Sequence, residues 1–96
     1  MTRSQLVDAL ATRRNLPRRT AEEVVQTVFM AMRDALLDGD RVEIRGFGSL
    51  KVKRYAGYLG RNPRTGESLQ VAPKVLPVFR ISKGLHNRLN KALESE

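Results

Sequence analysis

Between Ala21 and Leu36 the apolar residues Ala21, Val24, Val25, Val28, Phe29, Met32 and Leu36 step by three and four. That period gathers them into one wide stripe along a long helix. A stripe of this width has to be buried, and the rest of the chain offers little to bury it under. The chain has 96 residues, 41% of them hydrophobic and 5% aromatic. A single domain of that size removes only roughly 60–65% of its unfolded surface from water. The stripe therefore calls for a cover that one copy cannot supply, and a partner chain is the expected source. Within it, Val28, Phe29 and Met32 read as core rather than as a cofactor-binding box.

The flanking sequence sets the limits of that helix. Thr2 and Gln5 form a T-x-x-Q capping box, which satisfies orphan amides at a helix start. Leu6, Val7 and Leu10 follow at helical spacing, and Arg13 and Arg14 suit the negative end of the helix dipole. A first helix is predicted over about 3–14, ending near Asn15. Pro17 fits the first turn of the second helix, where its missing N–H costs nothing. Asp38-Gly39-Asp40 ends that helix, with Gly39 suited to the left-handed position after it.

The period then changes to two. Val42 and Ile44 alternate with Arg41, Glu43 and Arg45, and Leu50 and Val52 alternate with Lys51 and Lys53, across a tight Gly-Phe-Gly-Ser turn. This predicts a hairpin with one apolar and one charged face. From Arg54 to Lys74 the alternation continues with few large apolar groups, so the segment cannot bury much. A two-stranded ribbon projecting from the body accounts for both features, since unstructured loops of this length are uncommon in compact domains. Val78 and Phe79 lie on a returning strand, and Pro77 places that strand at an edge. Ser82 is the expected N-cap of a last helix carrying Leu85, Leu89 and Leu93.

Charge divides the chain. Residues 1–46 hold eight Lys/Arg and seven Asp/Glu, whereas residues 47–96 hold ten basic residues and only Glu67, Glu94 and Glu96 as acids. A net charge of +8 segregated in this way predicts a polyanionic partner. Catalysis finds no support: His86 is the only histidine, there is no cysteine, and no pair of acids has general acid–base spacing. No catalytic residue and no metal site is expected. The N-terminus lacks the apolar core of a secretory signal, and no apolar run is long enough for a membrane span, so a cytosolic setting is expected.

A basic two-stranded ribbon fits a DNA groove, and arginine suits the focused negative potential of a narrow minor groove. At its tip stands Gly60-Arg61-Asn62-Pro63-Arg64-Thr65-Gly66-Glu67. Pro63 is rigid, apolar and without an N–H, so it could wedge between base pairs and kink the duplex. It could equally be a turn former that pre-sets φ. An alternative class is an RNA-binding structural component of a ribonucleoprotein particle, for which stacking of flipped bases would be the signature. An anionic membrane is disfavoured, because no amphipathic helix carries the aromatic residues such binding uses.

The run from Arg45 to Glu67, RGFGSLKVKRYAGYLGRNPRTGE, resembles the signature of the bacterial HU and integration host factor family of histone-like, DNA-bending proteins. The resemblance extends over essentially the whole chain, from MTRSQLVDALA to LPVFRISKGL. It implies an α+β fold in a single domain spanning 1–96. A helical base would cover 1–40, and a three-stranded antiparallel sheet 41–54 and 75–81. A protruding β-ribbon arm would cover 55–74, and a C-terminal helix and tail 82–96. Two such chains would intertwine, as a homodimer or as a heterodimer with a related subunit, and the arms would embrace duplex DNA through the minor groove. By residue type Pro63 matches the intercalating proline, and Arg61, Asn62 and Arg64 match the tip. Lys53 and Arg54, with Tyr55, Tyr58, Lys74 and Arg80, fall along the arm and its base. Arg3 and Lys83 match positions near flanking DNA. Phe47, Leu50 and Phe79 join Val28, Phe29 and Met32 in the dimer core. The resemblance implies a place in the bacterial nucleoid and neither a cofactor nor a small-molecule substrate. Tyr55 and Tyr58 stand where the family more often has arginine, Leu50 replaces a common phenylalanine, and Ile81-Ser82 replaces Pro-Gly.

Overall fold

The computed structural model describes residues 1–94; the last two positions of the expected C-terminal tail lie outside them. Helix α1 runs Arg3–Arg14. The capping box forms: the Gln5 amide donates to Thr2 Oγ1 at 3.2 Å, and the Thr2 amide donates to Gln5 Oε1 at 2.8 Å. Asn15 ends the helix in the left-handed region at φ 50°, which asparagine tolerates better than most side chains. Helix α2 runs Arg18–Leu37. Pro17 stands one place before its first turn, as the N-cap residue, and its carbonyl accepts from Ala21 N at 3.1 Å. At the far end Gly39, at φ 77°, donates to Leu36 O at 3.0 Å and Asp40 donates to Ala35 O at 2.9 Å. That paired closure satisfies two otherwise orphaned carbonyls and needs a residue at ease with positive φ.

Strands β1 (Val42–Ile44), β2 (Gly48–Tyr55) and β5 (Lys74–Ile81) form an antiparallel sheet in the order β1-β2-β5. Pro77 therefore lies on an edge strand, opposite Val52, where its missing N–H removes no inner ladder bond. Among the described residues, strands β3 (Tyr58–Arg61) and β4 (Ser68–Val71) pair only with each other, as a separate ribbon. Helix α3 (Lys83–Glu94) follows, with Ser82 Oγ accepting from the Leu85 amide at 3.2 Å as its N-cap. None of the helices is long and apolar enough to cross a membrane, among the described residues.

The register sorts the sheet into two faces. Val42, Leu50 and Phe79 are cross-strand partners, and Ile44, Val52 and Ile81 share their side. This apolar face is only partly covered: Phe47 is 51% and Phe79 48% exposed. The buried hydrophobic side chains among the described residues are Val7, Ala21 and Val25, at the contact of α1 with α2. On α2, Val28 and Phe29 stay about half exposed. Folding alone, the chain leaves Val24, Val28 and Phe29 of its apolar stripe about half in water.

Gly48 shows how tightly the sheet and its aromatic pair fit. A Cβ there would lie 2.6 Å from both the Arg80 carbonyl oxygen and the Phe79 ring. The Phe79 ring also meets Phe47, with centroids 5.5 Å apart. Backbone cannot yield as a flexible side chain can. Gly48→Ala is therefore expected to lower stability by about 1–3 kcal/mol through overpacking. Thermal unfolding measured beside the parent checks it, and an unchanged midpoint would show that the strands part at no cost.

Candidate nucleic-acid interface

The ion pairs of the described residues all fall in the first half of the chain. Asp8 and Glu22 pair with Arg18, Glu23 with Arg19, Asp34 with Arg33 and Glu43 with Arg41. Four of the eight arginines of residues 1–46 are thus paired with acids of the same region, whereas Arg3, Arg13, Arg14 and Arg45 have no carboxylate partner among the described residues. Among the described residues, Lys51, Lys53, Arg54, Arg61, Arg64, Lys74, Arg80, Lys83 and Arg88 have no carboxylate partner. Their field is left for something outside the chain.

Strand register places several of these cations together. Tyr55 lies directly opposite Lys74, and Ser49 opposite Arg80, so Lys51, Lys53, Tyr55, Lys74 and Arg80 share the polar face of the sheet. Lys51 belongs to this group as fully as Lys53, and the i, i+2 spacing of the two was its signal in the sequence. Arg54 goes to the other side, where it faces Val75 at the edge of the apolar surface. Lys53 and Arg54 adjoin in sequence but serve opposite faces. Lys53 Nζ lies 5.3 Å and Lys74 Nζ 5.8 Å from the Tyr55 ring centroid. The Tyr55 ring thus has two ammonium groups within cation–π distance.

The ladder breaks at Ala56-Gly57 and at Ala72-Pro73, and the ribbon begins beyond. Gly57 makes a close backbone approach there, since a Cβ would meet Val71 O at 2.7 Å. In the ribbon, Tyr58 pairs with Val71 and Gly60 with Leu69, while Arg61 pairs with Ser68 and Leu59 with Gln70. Tyr58 and Arg61 thus fall on opposite faces. The Tyr58 ring lies alongside Gly60, 3.4 Å from where a Cβ would stand.

The tip is a closed structure. Asn62 N donates to Glu67 O at 2.9 Å and Gly66 N donates to Asn62 O at 2.8 Å. Asn62 Oδ1 accepts from Arg64 N at 2.9 Å, and Thr65 Oγ1 accepts from Glu67 N at 3.3 Å. Gly66 supplies the positive φ of 72°. Asn62 is therefore the clasp of the turn, with its side-chain oxygen committed to backbone. Pro63 and Arg64 are exposed at the end of it.

Arg3 and Lys83 are each the first residue of a helix, and neither helix has an acid in its first turn. Cations are disfavoured at the positive end of a helix dipole, by about 0.3–1 kcal/mol. Both ends become strongly electropositive as a result, and helix N-termini are ready anion sites.

Residues 1–90 match the family described as bacterial DNA-binding protein. Over 97 aligned positions the chain is 45% identical to integration host factor subunit beta of Ralstonia nicotianae, covering all of this chain and 70% of that protein. Among solved structures it resembles the HU of an Anabaena HU–DNA cocrystal structure. The TM-score is 0.80 at 28% identity, over 93% of this chain and 97% of that one. It also superimposes on HU from Thermotoga maritima with a TM-score of 0.64, over 93% of this chain and 98% of that one; at 21% identity this speaks for the fold.

Proposed function

Because the chain belongs to the bacterial DNA-binding protein family, of the HU and integration host factor type, we propose that it is an architectural protein. In this reading it works as an intertwined dimer that grips duplex DNA with two basic arms and bends it with Pro63. The observation that carries the reading is the ribbon itself. Among the described residues it pairs with no other strand, it offers unneutralised arginines, and it holds an exposed proline at a tip braced by its own hydrogen bonds. Such a device has little to do in a free monomer. It is suited to reaching into a groove and presenting an apolar wedge.

The dimer follows from the surface left uncovered. The chain exposes 8649 Å², whereas a compact folded protein of this size exposes about 5,500 Å². Its radius of gyration is 19.6 Å, against about 12–13 Å for a compact domain of this length. The arm accounts for part of the excess. The rest includes Val28 and Phe29 on α2, Phe47 and Phe79 on the sheet, and Leu89 and Leu93 on α3. A second copy is the simplest cover, since it brings matching apolar faces; a related subunit would do the same. The arms would follow the minor groove from the dimer's sheet surface, with Lys53, Lys74 and Arg80 on phosphates. Arg3 and Lys83 would meet the duplex where it bends back along the body.

Pro63→Ala tests the wedge. Pro63 lies outside the core, so the substitution should leave the fold and most of the phosphate contacts intact. Inserting a side chain between base pairs costs a few kcal/mol of unstacking, and the bent duplex offsets that by covering more protein. Energy transfer between the ends of a short labelled duplex should report a smaller bend with Pro63→Ala, together with a weaker preference for nicked over straight DNA. Equal end-to-end distances for variant and parent would reduce Pro63 to a turn former. The RNA-binding alternative draws no support from the family match, which is to bacterial DNA-binding proteins.

A further inference from the structure

The root of the arm carries a cluster that the bending mechanism does not by itself require. Lys53 and Tyr55 are two residues apart on β2, and Lys74 is directly opposite Tyr55 on β5, so all three project from one face. The two ammonium groups lie 5.3 Å and 5.8 Å from the same ring centroid. Neither lysine has a carboxylate partner among the described residues. Two like charges drawn to the same ring repel each other. The electron-rich face of a tyrosine ring opposes that, because it attracts each cation.

We propose that Tyr55 is a positioning residue whose ring gathers Lys53 and Lys74 into a two-ammonium clamp for one DNA phosphate at the root of the arm. The inference rests on the DNA-binding reading and adds a residue and a contact to it. An arginine at this position would offer its own guanidinium to a phosphate. Tyr55 offers no charge, and instead limits the freedom of two lysines that a phosphate would otherwise have to order on binding. The side-chain entropy is then already given up in the free protein, which is how preorganisation raises affinity. The register fixes the geometry: a strand slip of one residue would send Tyr55 to the other face and dismantle the clamp.

Tyr55→Phe and Tyr55→Leu separate the ring from its hydroxyl. Duplex affinity is measured for both across a salt series, with thermal unfolding as the control for folding. Tyr55→Phe keeps the ring and should match the parent in affinity and salt slope. Tyr55→Leu should bind roughly fivefold more weakly, as expected when two exposed cation–π attractions are removed, with a shallower slope and an unchanged unfolding midpoint. In the parent, Lys53→Gln and Lys74→Gln should be non-additive, because both serve one phosphate; in Tyr55→Leu they should act independently. A Tyr55→Leu protein that binds like the parent overturns the clamp alone and leaves the DNA reading standing. So does a Tyr55→Phe protein as weak as Tyr55→Leu. A parent that binds no duplex overturns both.

Discussion

Phe29→Asp is expected to leave the chain unfolded at micromolar concentration. In the isolated chain Phe29 is 47% exposed, and a surface substitution of that kind usually shifts stability by no more than about 0.5 kcal/mol. In the proposed dimer the same ring would be part of the shared core. An unpaired carboxylate there costs several kcal/mol, out of a total stability of about 5–15 kcal/mol. The monomer has little to fall back on, since Val7, Ala21 and Val25 are its buried hydrophobic side chains among the described residues. Folding and association are then one event, and the parent's unfolding midpoint should rise with protein concentration. Circular dichroism and sedimentation equilibrium over a concentration series read both effects. Arg19→Ala, on the same helix with its side chain 93% exposed, should stay folded and dimeric. A folded, monomeric parent would sink the intertwined-dimer reading.

The elements were legible because their signals are local. A capping box needs four residues and a helix-ending glycine needs three, so Thr2–Gln5 and Asp38–Asp40 predicted their own hydrogen bonds. Alternation likewise sorted Val42, Ile44, Leu50 and Val52 onto one face before any partner strand was known. Pro77 marked its strand as an edge for a reason intrinsic to proline. The α+β class with a three-stranded sheet followed from these elements together with the resemblance.

The site was less legible, because it depends on pairing between distant segments. Nothing in the local sequence sets Tyr55 opposite Lys74. That register is fixed by the sheet on one side and by the interruptions at Ala56-Gly57 and Ala72-Pro73 on the other. A tyrosine at position 55 reads in isolation as a missing cation, whereas the role proposed for it depends on two neighbours on two strands. Grouping Lys53 with Arg54 followed sequence adjacency, although strand alternation already places such neighbours on opposite faces. Asn62 was drawn to the DNA by its place at the tip. Its Asn-Pro context also carries a turn signal, and that is how its side-chain oxygen is used.

Duplex affinity should fall steeply with salt, and the ion-pair map says which residues carry the effect. Each phosphate neutralised by a lysine or arginine releases condensed counterions, giving a slope of about −0.9 per neutralised phosphate in a plot of log affinity against log salt. A dimer meeting roughly six to ten phosphates would lose about 10³–10⁵-fold in affinity between about 50 and 200 mM salt. The neutralising groups should be the cations that lack carboxylates. Arg61→Gln and Lys83→Gln should therefore weaken binding to every sequence alike and flatten the slope by about one for each phosphate no longer neutralised. Arg19→Gln should leave the slope nearly unchanged, since Arg19 pairs with Glu23 on the helical base. Fluorescence anisotropy of a labelled random duplex across a salt series measures all four proteins. A parent slope near zero would mean that the basic half only solubilises the chain. A slope flattened as much by Arg19→Gln as by Arg61→Gln would move the interface from the arms to the helical base.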